Sequence, residues 1–521
     1  MPAVSYYVAV PRVRPRSFIG VAWLLLAIAV IARVGFVVAT PHYVPNQDPG
    51  DYLRLGMAIA RSGAYPDNDV WVTRRGCPRI PILPRTPCIA PPGAPGAYLV
   101  GQPSGWRPPG YPYALAAPEL IARWTGADPL TMARAFQVLL GVLDVALTGL
   151  LARMLWGPRV GLFALGLAAV YVPFVLISGT LIGEPLFVAL MLGAVCAVLR
   201  WRCRRNPPML LAAGVLAGLS ALTRSNGVVV VLAVALLVLT ADGYRQALRR
   251  APSALLLLAV AAVTVAPWTI RNAIVFGRFV PVSTEGGQTL LDTYNRTSMA
   301  ERRQPGTSLV LQDVPIYSTL ARETLAHPDP EVDAAMRHAA VKFAIAHPTY
   351  VATVFWHNAL RLLDLAGLGF ARSTYASIDL AGGAAVAGVI TFYVVALLAL
   401  AGALLRAARR PPAAFWLIPV LLALSTVLII EQTPRFRTPI EPFILLLAAL
   451  TLERLAVTAT GKIQETRRPR TPRAHNATRR TDEAGAVSLH PSSARPSNPS
   501  GSDSLPANPG SLIVSLGPGR S

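Results

Sequence analysis

The chain has 521 residues and a formal net charge of +22, with 53% hydrophobic and only 14% charged residues. A mean hydropathy of +0.47, and a charged fraction well below the roughly 25% of soluble domains, exclude a soluble globular enzyme. The excess arginine sits in short connectors between apolar runs: Arg12/Arg14/Arg16, Arg200/Arg202/Arg204/Arg205, Arg245/Arg249/Arg250 and Arg406/Arg409/Arg410. That bias retains loops in the cytoplasm, and no separate basic module points to nucleic acid.

Span 1, about 18–40, has the roughly 20 apolar residues a helix needs to cross hydrocarbon. It is too long for a removable signal peptide and Arg33 interrupts its core, so it reads as a retained anchor. The first outer segment, about 41–129, opens with Asn46-Gln47-Asp48-Pro49-Gly50-Asp51-Tyr52-Leu53. Cys77 and Cys88 follow in a Pro- and Arg-rich stretch. Their separation suits a disulfide in an oxidising compartment, whereas the lack of nearby histidines argues against zinc. Residues 111–124 are apolar but short and contain Pro112, Pro118, Glu119 and Arg123; they predict a helix lying in the interface.

Span 2 is predicted at about 130–152, spans 3 and 4 at 160–178 and 183–199, and spans 5 and 6 at 209–223 and 226–240. Span 7, about 253–270, exits at Arg271. A second outer segment, about 271–383, has a helix-compatible run from Glu331 to Leu363; His338, His347 and His357 in it read as interfacial. Spans 8, 9 and 10 are placed at 384–405, 413–430 and 438–457. The expected fold is an all-α polytopic membrane protein of about ten spans, in a range of about nine to thirteen, with a helical extracytoplasmic cap and both termini inside. Cys196 and Cys203, near a cytoplasmic helix end, are expected to be reduced. From 461 to 521 Pro, Ser, Arg, Thr and Gly dominate, which predicts a disordered basic cytoplasmic tail after a membrane domain over 1–460.

On this topology one face collects Asp48, Asp51, Glu184, Arg224, Arg271, Asn272, Arg435 and Arg437. Charged side chains at membrane depth are costly and are usually paired or functional. Each arginine taken singly reads as an interface anchor. Together they offer acids to activate a nucleophile and guanidinium groups to hold a phosphate.

At these residues the chain resembles the membrane-embedded glycosyltransferases of the GT-C fold, especially the bacterial branch related to protein O-mannosyltransferases and to the lipid A aminoarabinose and rhizobial lipopolysaccharide transferases. The resemblance covers about 18–457. It is carried by Arg33, by Asp48 four residues before Tyr52, by Leu53-Arg54-Leu55-Gly56 and Gly63-Ala64-Tyr65, and by Arg107-Pro108-Pro109-Gly110-Tyr111-Pro112 and Ala133-Arg134. Further on come Glu184-Pro185-Leu186-Phe187, Leu222-Thr223-Arg224, Pro267-Trp268-Thr269-Ile270-Arg271-Asn272, Gly286-Gly287 and Pro434-Arg435-Phe436.

The resemblance implies transfer of a sugar from a polyprenyl-phosphate donor to an extracytoplasmic acceptor (glycan, lipid or protein), with an acid of the first outer loop central to catalysis. Asp48 matches that acid. Pro49 stands where Glu commonly follows, and Asp51 is an additional carboxylate, so either of the two can be the base. Participation of a divalent cation, Mg or Mn, stays open. The expected chemistry is an inverting displacement, with an Asp as general base and Arg271, Arg435 and Arg224 on the donor phosphate. Tyr52, Glu184, Asn272 and Arg437 are further site candidates. The protein is expected to be multi-pass in a cell membrane, bacterial by the resemblance, among membrane lipids. The rival readings are a polytopic transporter or lipid flippase, and an inactive scaffold of the same fold. A transporter would more naturally show broken helices, mid-span acids or paired repeats, whereas the informative charges here lie at span ends.

Overall fold

The computed structural model describes residues 15–65, 103–308, 329–429 and 435–467. Cys77, Cys88, Pro434 and nearly all of the predicted tail lie outside them. The chain divides into two compact units, Met1–Gln464 and Glu465–Ser521. The second lies almost wholly outside the described residues.

Within the first unit, α1 (Pro15–Ala39) is followed by two helices of the first outer segment, α2 (Gln47–Ser62) and α3 (Gly110–Thr125). Next come α4 (Pro129–Trp156), α5 (Pro158–Val170), α6 (Val172–Ile177), α7 (Glu184–Arg204), α8 (Pro207–Thr223), α9 (Gly227–Leu239) and α10 (Ala247–Phe276). The second outer segment forms α11 (Gly286–Thr293), α12 (Arg296–Ala300), α13 (Asp329–Ala346), α14 (Pro348–Leu362) and α15 (Leu368–Ala376). The chain then returns through α16 (Gly382–Leu404), α17 (Ala413–Val427) and α18 (Glu441–Arg467).

Six of these helices are long and apolar enough to cross a membrane: α1, α4, α7, α10, α16 and α18. The shorter apolar helices α5, α8, α9 and α17 occupy predicted spans 3, 5, 6 and 9. The protein is therefore all-α and multi-pass. Apolar side chains such as Trp23, Ile31 and Val38 on α1, Val263 and Ile274 on α10, and Leu397 and Leu404 on α16 face outward. In water such stripes would be a liability, whereas in lipid they are the expected surface. The core gathers on α7, where Phe187, Val188, Met191 and Val195 pack with Leu151, Ala213, Val234, Phe415, Ile418 and Phe443. The amino end of this central helix carries Glu184.

Predicted span 3 is broken at Tyr171, between the end of α5 at Val170 and the start of α6 at Val172-Pro173. Proline removes a helical donor and a broken helix leaves carbonyls without partners. Arg33 supplies them, donating to the carbonyls of Ala168 and Ala169 at 3.3 and 3.1 Å and to Ser178 Oγ at 3.2 Å. Asp144, partway along α4, is buried and interacts electrostatically with the fully buried Arg33. Hydropathy does not single out this mid-span acid, because the helix that carries it remains strongly apolar. The other two departures are smaller. Span 7 continues as helix to Phe276, past Arg271, and the cap run from Glu331 splits at His347-Pro348. His347 and His357 each use Nδ1 on a backbone carbonyl four residues earlier. Cys196 and Cys203 are free thiols.

One close approach fixes the geometry of the site. A side chain at Gly110, the first residue of α3, would meet the Thr223 hydroxyl at 2.7 Å and the Leu222 carbonyl at 2.9 Å. The start of α3 thus lies directly against the end of α8, holding Arg107 and Arg224 at one end of the bundle. Gly110→Ala is expected to cost about 1–3 kcal/mol by overpacking against backbone. It should appear as a lower melting midpoint of the detergent-solubilised protein, and an unchanged midpoint would show that the two helices separate freely.

Candidate active site

The site begins at the first turn of α2. Pro49 is tolerated there because first-turn amides have no partner within the helix, and an acid near a helix amino terminus is electrostatically favoured. Asp48 and Asp51 lie three residues apart and share a face. Below them Tyr52 and Leu53 are buried, and the Tyr52 ring meets Tyr111 edge-on with centroids 5.1 Å apart.

Arg107 bridges both acids. It pairs with Asp48, lies 3.0 Å from Asp51 Oδ2, reaches Glu285 at 3.5 Å and stands over the Tyr52 ring. Arg54 holds the other oxygen of Asp51 at 2.6 Å. Arg435, just ahead of α18, pairs with Asp48 through one terminal nitrogen, and its Nε donates to Glu184 Oε1 at 2.6 Å. Arg224, at the end of α8, pairs with the same Glu184 oxygen and shares the Phe436 ring with Arg435. Ser225 closes the circuit by donating to Glu285 at 2.7 Å. Four carboxylates and four guanidinium groups from well-separated parts of the chain thus form one charge-balanced network.

The two aspartates differ within it. Burial raises the Asp48 carboxyl, but Arg107 and Arg435 outweigh burial and hold it well below the usual range. For Asp51 burial wins over Arg107 and Arg54, and the carboxyl is held above its ordinary 3.8. The Asp48 side chain is 23% exposed against 7% for Asp51, so Asp48 is the one an incoming molecule can reach. Arg107 Nε and Arg224 Nε are buried without hydrogen-bond partners among the described residues. Buried donors are rarely left unpaired.

Asp48, Asp51, Tyr52, Glu184, Arg224 and Arg435 therefore converge, as the sequence predicts. Arg271 does not join their ion pairs. It lies inside α10, donates to the Ser104 carbonyl at 2.7 Å and to Asn272 Oδ1 at 2.9 Å, and stacks on Trp268. Asn272 in turn donates to the Val280 carbonyl. Arg271 braces the segment that carries Arg107, and Asn272 braces the stretch that follows α10. Arg437 belongs to a separate buried cluster with Asp364 at 2.6 Å and Glu441 at 2.9 Å; Tyr171 donates to Glu441 at 3.0 Å. Glu285 is absent from the sequence expectation, and Arg107 enters it only within the Arg107-Pro108-Pro109-Gly110-Tyr111-Pro112 motif.

Among the described residues no group of three His, Cys, Asp or Glu side chains is placed to hold a metal ion. Asp48 and Asp51 present their oxygens to guanidinium groups, which does not form the open oxygen cage that a hard cation requires.

Fold and network together define a polytopic all-α membrane protein with a charged site at one end of its bundle. Residues 106–270, about a third of the chain, match the family of dolichyl-phosphate-mannose-protein mannosyltransferases. This segment holds Arg107, Glu184 and Arg224, and its match accords with the resemblance to GT-C membrane glycosyltransferases. No curated protein matches the chain. Among solved structures the chain is similar to the oligosaccharyltransferase AglB from Archaeoglobus fulgidus, in complex with an inhibitory peptide and a dolichol-phosphate. That similarity has 14% identity and a TM-score of 0.49 over 87% of this chain and 52% of that one. It is also similar to ArnT from Cupriavidus metallidurans bound to undecaprenyl phosphate, at 16% identity and a TM-score of 0.34 over 86% and 78%. The chain spans about half the length of the archaeal protein.

Proposed function

We propose that the protein is an integral membrane glycosyltransferase that moves a sugar from a polyprenyl-phosphate donor to an acceptor hydroxyl by a single inverting displacement. The observation that carries this reading is Arg435, whose guanidinium joins Asp48 to Glu184 and Arg224. The match of residues 106–270 to a family that uses a lipid-phosphate-linked sugar supports the donor class. The arginine-rich connectors at the opposite ends of the spans support an extracytoplasmic site; a bacterial plasma membrane is proposed on the family resemblance alone.

With Arg107 and Arg435 both on its carboxylate, Asp48 is a weak base. A donor phosphate competes for Arg435 and Arg224, since guanidinium pairs with phosphate as it does with carboxylate. Losing part of its cationic shell raises the proton affinity of Asp48 when the donor arrives. The acceptor oxygen then attacks the anomeric carbon while its proton passes to Asp48. The bond from that carbon to the phosphate oxygen breaks, and polyprenyl phosphate leaves against Arg435 and Arg224. Arg107 orients both aspartates, and Arg271 holds the loop behind it.

The test is incubation of the purified protein with a panel of radiolabelled polyprenyl-phosphate sugars and membrane extract, followed by identification of the labelled product. Label confined to the donor across the whole panel would remove the proposal. We further propose that transfer needs no metal, so exhaustive EDTA treatment should leave the rate within about twofold, a loss too small for removal of a Lewis acid. Loss restored by Mg or Mn would overturn this.

The raised Asp51 carboxyl predicts a pH effect. Folding favours its protonated form, so Asp51 adds stability below 3.8 that is lost as pH rises through its folded value. Transfer should run the opposite way, because protonated Asp51 leaves Arg107 to draw harder on Asp48. The rate is expected to rise through an acid limb above pH 3.8, and Asp51→Asn should flatten that limb at a lower plateau. A limb unchanged in Asp51→Asn would assign the titration elsewhere.

A further inference from the structure

We infer that Asp379, in the turn between α15 and α16, is the positioning residue that sets the catalytic turn of α2; this rests on the reading of Asp48 as base. Asp379 Oδ2 accepts the backbone N–H of Asn46 at 2.9 Å and Oδ1 accepts the Asn46 side-chain amide at 3.1 Å. Asn46 is the residue on which α2 starts, two before Asp48. Its own side chain makes no capping bond to the helix; it is turned instead to Asp379 and to the Val44 carbonyl at 3.0 Å. The carboxylate thus grips both donors of the residue from which the turn bearing Asp48 departs.

The holder is itself rigid. Asp379 has φ of +62°, the left-handed region that favours glycine. Its turn is closed by Leu380 N–H to the Tyr375 carbonyl at 3.0 Å, the six-to-one bond with which helices commonly end at a glycine. Ile378 and Leu380 on either side are buried against Leu176, Ile177 and Ile182, the segment leading to Glu184. Glycine would serve the backbone here, so the side chain is what the position gains from being aspartate. Through it the last turn of the second outer segment fixes the first helix of the first, next to the loop before α7. Asp48 and Glu184, the two acids that share Arg435, are thereby referred to one support.

Asp379→Gly removes the carboxylate without straining the left-handed backbone, and Asp379→Asn keeps an acceptor for the Asn46 N–H. Purified full-length variants are compared by amide hydrogen exchange over 46–54 and by kcat and donor KM with the polyprenyl-phosphate sugar. Asp379→Gly should speed exchange in the first turn of α2 and lower kcat roughly tenfold to a hundredfold, the scale of a misplaced catalytic group. Donor KM should hold, and Asp379→Asn should recover most of the loss. Unchanged exchange in Asp379→Gly would overturn the contact. Faster exchange with wild-type kcat, in a protein that Asp48→Asn inactivates, would overturn the positioning role. Activity surviving in Asp48→Asn would instead remove the assignment of the base, leaving the exchange result to judge the contact alone.

Discussion

Asp48→Asn is expected to enter the membrane at wild-type levels and to lose transfer by about two to four orders of magnitude, the contribution typical of general-base help. The change keeps the size of the side chain and one acceptor oxygen for Arg107 and Arg435, so the network need not collapse. What it removes is the atom that takes the proton. Asp51→Asn should be milder, because that carboxylate is more deeply buried and engaged by Arg54 and Arg107 on its two oxygens. Initial rates in proteoliposomes matched for protein content separate the two variants. Wild-type turnover by Asp48→Asn, or a deeper loss in Asp51→Asn, would move the base away from Asp48.

Arg435→Ala is expected to lose roughly tenfold to a hundredfold in donor-limited transfer, since a charge-assisted contact is worth about 1.5–3 kcal/mol. Glu184 keeps Arg224 and Asp48 keeps Arg107, so no buried acid is stranded. Arg224→Ala should act in the same direction with a smaller loss, as that guanidinium reaches Glu184 but makes no ion pair with Asp48. Lys at 435 retains charge but not the planar fork by which Arg435 meets two acids at once, and should recover only part of the activity. The measurement is a donor titration at saturating acceptor. If the loss appears in acceptor dependence and not in donor dependence, these arginines do not hold the phosphate.

The spans were legible because hydropathy and arginine asymmetry are properties of contiguous segments, and placing the connectors on one side brings the ends of α1 and α8 and the starts of α7 and α18 to the other. The break at Tyr171 was not, since an apolar run containing Pro173 reads as continuous and the arginine that satisfies its carbonyls is 136 residues away from Ala169. Arg435 and Arg437 look like twins in sequence, yet between 435 and 440 the chain turns and sends one to Asp48 and the other to Asp364. Arg271 ends the apolar window but bends inward onto Ser104, which lets Ile270 and Ile274 continue the outward apolar face. Glu285 had no signal beyond the glycines that follow it. Its role depends on Arg107 and Ser225, which only the fold brings near. Asp379 was equally silent, because its partner Asn46 lies 333 residues earlier.

On the proposed function, a lipid-linked sugar phosphate is cleaved at Asp48 and Arg435 as its sugar is transferred. The most direct test follows, in one reaction, the polyprenyl phosphate released and the sugar appearing on acceptor, with the labelled lipid-linked donor or the corresponding nucleotide sugar. Equal amounts of both products are expected from the lipid-linked donor, no transfer from the nucleotide sugar, and neither product with Asp48→Asn. Transfer from the nucleotide sugar, or sugar reaching acceptor without release of polyprenyl phosphate, would contradict the proposed function.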